Sequence, residues 1–174
     1  MKSLNNISVL AICIFMLISI SWAGDENGPD SLIIEKFSFD ENGKAVADFV
    51  IINDQDLAAV TIPMILRGEG VAIDSVSFAG GRFEYLQMLP VTVAENKLSV
   101  VFGAIVVTEE YVAPGRGLLA KMYLSSDTAK KDISCVIDTT TVEPATLMFT
   151  KTNSASFIPT FIKGTITVEE PAKE

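Results

Sequence analysis

"LAAVTIPMIL" at Leu57–Leu66, "VAIDSVSFAGG" at Val71–Gly81, "KLSVVFGAIVV" at Lys97–Val107 and "GRGLLAKMYLS" at Gly115–Ser125 are four versions of one pattern. Each is a short apolar or alternating run, closed by Gly, Pro, Asn or paired carboxylates. Val, Ile, Thr and Phe dominate, and these side chains suit a pleated, half-buried surface. Outward from this block the same signal continues. "SLIIEKFSF" and "KAVADFVIIN" flank Asp40-Glu41-Asn42-Gly43, whose Asn-Gly suits a tight turn with positive φ. Beyond it lie "DISCVIDTTTV", "ATLMFT" and "FIPTFIKGTITVE". Strand signals recur about every ten to fifteen residues with no amphipathic stretch of helical period. The expectation is an all-β chain of about nine strands in two packed antiparallel sheets. One short helix is expected over Ser126–Lys131.

Finer expectations attach to single segments. Pro63 has no N–H for a ladder, which predicts an edge position or a bulge for its strand. Val71, Ile73, Ser75 and Ser77 alternate with Ala72, Asp74, Val76 and Phe78, and Gly80-Gly81 ends the run. "RFEYLQMLPVTVAENKLSVVFGAIVV" reads as two or three strands turning at Glu95-Asn96 and near Pro90. Gly68-Glu69-Gly70 and Gly115-Arg116-Gly117 read as short turns between strands. Neither resembles a phosphate-cradling loop, because no helix follows.

The N-terminus reads as a targeting segment. Lys2 precedes a nearly continuous apolar stretch from Ile7 to Ile20, and Ser21-Trp22-Ala23 places small residues ahead of a cut between Ala23 and Gly24. A spanning helix needs about 20 residues, and the polar stretch after Gly24 has no basic stop-transfer flank. The predicted organisation is a signal peptide over 1–23, a flexible lead-in over 24–31, one sandwich domain over 32–168 and a polar tail over 169–174. The predicted location is secreted, periplasmic or cell-surface, with no membrane insertion after cleavage.

Charge and composition narrow the function. The chain has 13 Lys and Arg against 22 Asp and Glu, a net charge of −9. Loss of Lys2 with the signal makes the balance 12 against 22. Such a surface repels nucleic acid and anionic lipid. Cys13 leaves as well, so Cys135 is the one mature cysteine and no internal disulfide forms. There is no histidine, which removes the Ser-His-Asp and Cys-His nucleophile arrangements and the commonest zinc ligand. Cys135 lies in an alternating strand, as a buried inert thiol would.

The carboxylates Asp54, Asp56, Asp74, Glu84, Glu109 and Glu110 fall at turns or solvent-facing positions, where solubility accounts for them. Calcium is the one ion that the oxygen-rich turns could take, at Asn53, Asp54 and Asp56 or at Asp40-Glu41-Asn42-Gly43, although neither spacing matches an EF-hand loop and turn chemistry is the favoured account of both. No other cofactor is expected. The only tryptophan, Trp22, is in the signal segment. An exposed binding patch could be built from Arg82, Phe83, Tyr85 and Tyr111, and ordinary packing is the competing reading of the same residues.

Val46 to Leu124, extending loosely to Val168, resembles the cohesin-like modules of exported bacterial proteins. The matching stretches are "NDQDLAAVTIPMIL", "DSVSFAGG", "KLSVVFGAI", the "GxLAxxxF"-type segment in "PGRGLLAKMYLS", and the closing "GTITV". One feature departs: the family's Tyr-Asp-Pro turn is replaced by Arg67-Gly68-Glu69-Gly70. The resemblance implies a nine-stranded jelly-roll sandwich that binds another exported protein, of dockerin type or otherwise, without catalysis. The alternatives are a carbohydrate-binding module that takes polysaccharide and a structural subunit of a cell envelope.

Overall fold

The computed structural model describes residues 29–35, 37–107, 111–127 and 133–165. Among them are twelve strands, no helix and two sheets packed face to face. The smaller sheet contains β1 (Ser31–Ile34), β2 (Lys44–Asn53), β4 (Val71–Ser77), β7 (Gly115–Ser126) and β11 (Thr160–Ile162), in the order β11-β1-β2-β7-β4. The larger contains β3 (Leu57–Gly68), β5 (Val91–Val93), β6 (Ser99–Ile105), β8 (Cys135–Thr139), β9 (Met148–Lys151), β10 (Ser156–Phe157) and β12 (Gly164–Thr165). Its main path is β10-β9-β3-β6-β5, and β8 joins β3 to β12.

Alternation builds the core. Ala45, Ala47, Phe49 and Ile51 of β2 point between the sheets, as do Val60, Ile62, Met64 and Leu66 of β3. Phe102 of β6 meets Phe49 edge-on at 5.2 Å and Phe78 at 6.1 Å between ring centres. Such edge-to-face pairs add to the gain from burying their area.

The two-sheet β architecture agrees with the sequence reading, and several details correct it. Twelve strands replace about nine, because the C-terminal third divides into pieces of two to five residues. The pairing is not purely antiparallel: β1 runs parallel to β11, with Leu32 opposite Phe161. Residues 82–85 form turns, closed by Glu84 N–H to Gly81 O and Leu86 N–H to Phe83 O, and Met88 makes only an isolated bridge, so the stretch is not a strand. Gly115-Arg116-Gly117 is not a turn but the start of β7, opposite Asn53, Ile52 and Ile51. The helix expected over Ser126–Lys131 falls largely on 128–132, outside the described residues, as do the signal segment and the tail.

Pro63 is neither at an edge nor in a bulge. Its strand is central, with β6 on one side and both β9 and β8 on the other. A strand residue's amide nitrogen and carbonyl share one side. The Pro63 carbonyl accepts from Thr140 N–H at 3.2 Å, so its nitrogen also faces the β8/β9 side. There β9 pairs through Thr61 and β8 begins at Met64, so the missing N–H falls in the gap between them.

In β4 the even alternation breaks. Ile73 pairs with Leu124 and Ser75 with Tyr123, leaving Asp74 as an extra residue in a bulge. The inward set therefore changes from Val71 and Ile73 to Val76 and Phe78.

Candidate binding surface

The side of the larger sheet turned away from the core is built from the other half of each alternation. On β3 these are Ala59, Thr61, Pro63 and Ile65; on β6 they are Val101, Gly103 and Ile105. Register places Val101 beside Pro63 and Thr92, Gly103 beside Thr61, and Ile105 beside Ala59. Met148 and Thr150 extend the rows across β9. Among the described residues no ionisable side chain stands in the centre of this face. At its β8 margin Asp138, opposite Ile65, is held by Lys163 Nζ at 2.5 Å. A Cβ at Gly103 would strike the Val60 carbonyl oxygen, so glycine keeps β6 close against β3 there.

The Ala59 end of the face is its most apolar part. Ile105 is 42% exposed and pairs with Met88, itself 48% exposed, in an isolated bridge. Tyr85 and Tyr111 stand nearby, both exposed, with the Tyr85 hydroxyl donating to the Tyr111 carbonyl at 3.3 Å.

The four residues proposed from sequence as a patch therefore divide. Tyr85 and Tyr111 come together at the surface, whereas Phe83 is 1% exposed and belongs to the core. Arg82 closes one end of the sandwich. Its side chain lies over Gly117, where a Cβ would be 2.6 Å from Arg82 Cδ. Its guanidinium donates to Asn53 Oδ1 at 2.8 Å, to the Gly115 carbonyl at 2.8 Å and to the Ala113 carbonyl. Burial lowers the Arg82 pKa. Arginine stays charged regardless.

That clasp decides the calcium candidates. Asn53 is fully buried, and its Nδ2 donates to the carbonyls of Gln55 at 2.7 Å and Ala113 at 3.1 Å. With the Arg82 guanidinium 2.8 Å from its Oδ1, a cation at that oxygen would meet a fixed positive charge. Asp54 and Asp56 are exposed. The Asp54 amide donates to Asp30 Oδ1 at 3.0 Å, and burial, with the Asp54 charge adding to it, raises the Asp30 pKa. Among the described residues no three His, Cys, Asp or Glu side chains gather where a metal could sit. The Asp40 turn is likewise committed, its Oδ1 accepting from the amides of Asn42 and Lys44. Cys135 is buried, and burial pushes its thiol up to about 11, away from nucleophilic use.

Sequence reasoning passed over the larger sheet's outer face. Its one signal was size: Ala59, Thr61 and Pro63 alternate with the bulkier Val60, Ile62 and Met64.

No protein-family model matches this sequence, and no curated protein matches it significantly. Solved structures do match. A type I cohesin, the seventh of ScaB, from Pseudobacteroides cellulosolvens superposes with a TM-score of 0.67 at 12% identity, covering 83% of this chain and 96% of that one. A type I cohesin–dockerin complex from Clostridium thermocellum matches at 0.66 and 10% identity, over 80% of this chain and 98% of that one. A non-cellulosomal cohesin from the archaeon Archaeoglobus fulgidus matches at 0.62 and 13% identity, over 82% and 94%. At such identities the likeness is one of fold, and the fold is that of a cohesin-like module: a two-sheet jelly-roll sandwich.

Proposed function

We propose that this chain is an exported, non-catalytic module that binds another protein through the outer face of its larger sheet. The observation that carries the reading is the uncharged, apolar centre of that face on a chain of net charge −9. Covering it removes apolar surface from water and strips no ion of its hydration. The buried thiol and the absence of histidine support a role without catalysis. The signal-like segment over 1–23 supports export. The partner proposed is a dockerin-type module, because the Clostridium thermocellum neighbour was solved as a cohesin–dockerin complex.

Calorimetric titration of the mature chain with a panel of type I dockerin modules tests this. Binding by at least one is expected, and Ile105→Lys, which places a charge at an exposed position, is expected to weaken it roughly tenfold or more. Absence of binding across the panel would refute the dockerin assignment. Binding indifferent to Ile105→Lys would refute the face.

A further inference from the structure

The outer face of the smaller sheet, on the opposite side of the sandwich, has a different chemistry. Val46 of β2 and Tyr123 of β7 stand opposite each other and are 44% and 39% exposed. On one side of this pair is an open depression of about 290 Å³ lined by Glu35, Asp48 and Lys121. On the other is one of about 470 Å³ whose lining includes Asp40, Lys44, Asp74 and Ser75. Both depressions include Val46 and Tyr123, so an aromatic ring and an aliphatic side chain stand at the middle of a two-lobed groove.

The bulge in β4 shapes the larger lobe. Ser75 keeps the place opposite Tyr123, and the extra residue puts Asp74 beside it on the same outer face. Bulges commonly re-aim a side chain in this way. Asp74 is then fixed by Lys44 Nζ at 3.0 Å and Ser125 Oγ at 2.8 Å. In the smaller lobe, Arg116 approaches Glu35 at 3.9 Å and Lys121 stands opposite Asp48. Asp40 is held by two backbone amides. Asp40 and Asp74 are thus hydrogen-bonded in place, and Glu35 and Asp48 each face a cation. A cationic ligand would have to break those contacts, and an anionic one would meet a net negative chain.

A neutral ligand rich in hydroxyls needs neither. It can use the spare carboxylate lone pairs and ammonium N–H groups while an apolar ring face packs on Tyr123. We propose that this groove, centred on Tyr123 and Val46, is a binding site for a neutral saccharide chain. It is separate from the protein-binding face and does not depend on it.

NMR titration of the labelled mature chain with cellohexaose, xylohexaose, laminarihexaose and mannohexaose tests the assignment. Saturable shifts at Val46, Ser75 and Tyr123 are expected with at least one. Tyr123→Ala should weaken binding roughly tenfold or more, and Tyr123→Phe, which keeps the ring, should change it less than about threefold. Tyr85→Ala should leave it unchanged, and the variants' spectra show whether each is folded. No saturable shift with any of the four sugars would overturn the proposal, as would shifts that persist in Tyr123→Ala. Saturable binding of hexalysine at the same residues, with no sugar binding, would assign the groove to basic peptides and overturn it too.

Discussion

At the scale of single residues, Arg82 shows how a side chain that reads as a binding group becomes part of the frame. Its guanidinium joins three segments: the end of β2 through Asn53, the connection before β7 through Ala113, and the start of β7 through Gly115. The planar fork of donors suits this, since three acceptors converge on one group. Arg82→Met keeps most of the apolar stem and removes every donor, leaving the fully buried Asn53 oxygen without its partner. A loss of roughly 2–3 kcal/mol is expected in urea unfolding, because a buried acceptor left unpaired costs about 1–3 kcal/mol. Arg82→Lys, one point charge without the fork, should recover less than half. A loss within error for Arg82→Met would show that the clasp is dispensable. Sequence pattern could not separate Arg82 and Phe83 from Tyr85 and Tyr111. Three of the four are close in the chain, and only the turns over 82–85 decide that Phe83 points inward and Tyr85 outward.

At the scale of elements, the β4 bulge and the central β3 depart from simple alternation for identifiable reasons. Pro63 is tolerated in a central strand because two shorter strands share one side of β3 and leave a gap at its nitrogen. Period-2 reading of Val71–Phe78 is correct on each side of Asp74 and fails across it, since one inserted residue exchanges the faces. The carboxyl of that residue also responds to pH. Burial pushes its pKa up, and hydrogen bonds from Ser125 and Lys44, with the charges of Lys44 and Lys97, more than reverse this, so the folded value lies below the ordinary one. The unfolded chain therefore takes up the proton first as pH falls. The stabilisation is complete above the unfolded pKa and is lost as pH falls through the folded one. Compared with Asp74→Asn, the wild-type protein should be more stable at neutral pH by up to about 1 kcal/mol. Melting curves from neutral to acid pH should show that advantage shrinking to nothing. An advantage that persists at the acid end would remove Asp74 as its source.

At the scale of the whole molecule, no disulfide ties the sheets together among the described residues. The free thiol of Cys135 is 3% exposed, and among the described residues it is the only cysteine. Melting should therefore be the same with and without dithiothreitol. The native thiol should resist Ellman's reagent and react only once denaturant opens the core. Rapid labelling of the native protein would contradict the packing at β8. The sheet margins fit a chain that does not polymerise through strand edges. β5, β10 and β11 are two or three residues long, and β4, the longer edge strand, carries the bulge.

The sequence by itself determined the fold class, the turns at Asn42-Gly43 and Gly68-Glu69-Gly70, the buried character of Cys135 and the cohesin-like cast of Val46–Leu124. Those properties follow from local periodicity, turn chemistry and composition, which act within a few residues. Only the tertiary structure decided that Pro63 is central, that Arg82 is a clasp, and that the two outer faces differ, one with an apolar centre and the other a polar groove around Tyr123. Each of those depends on which strand lies beside which. Strand neighbours are set by contacts far apart in sequence, where alternation within a single run carries no information.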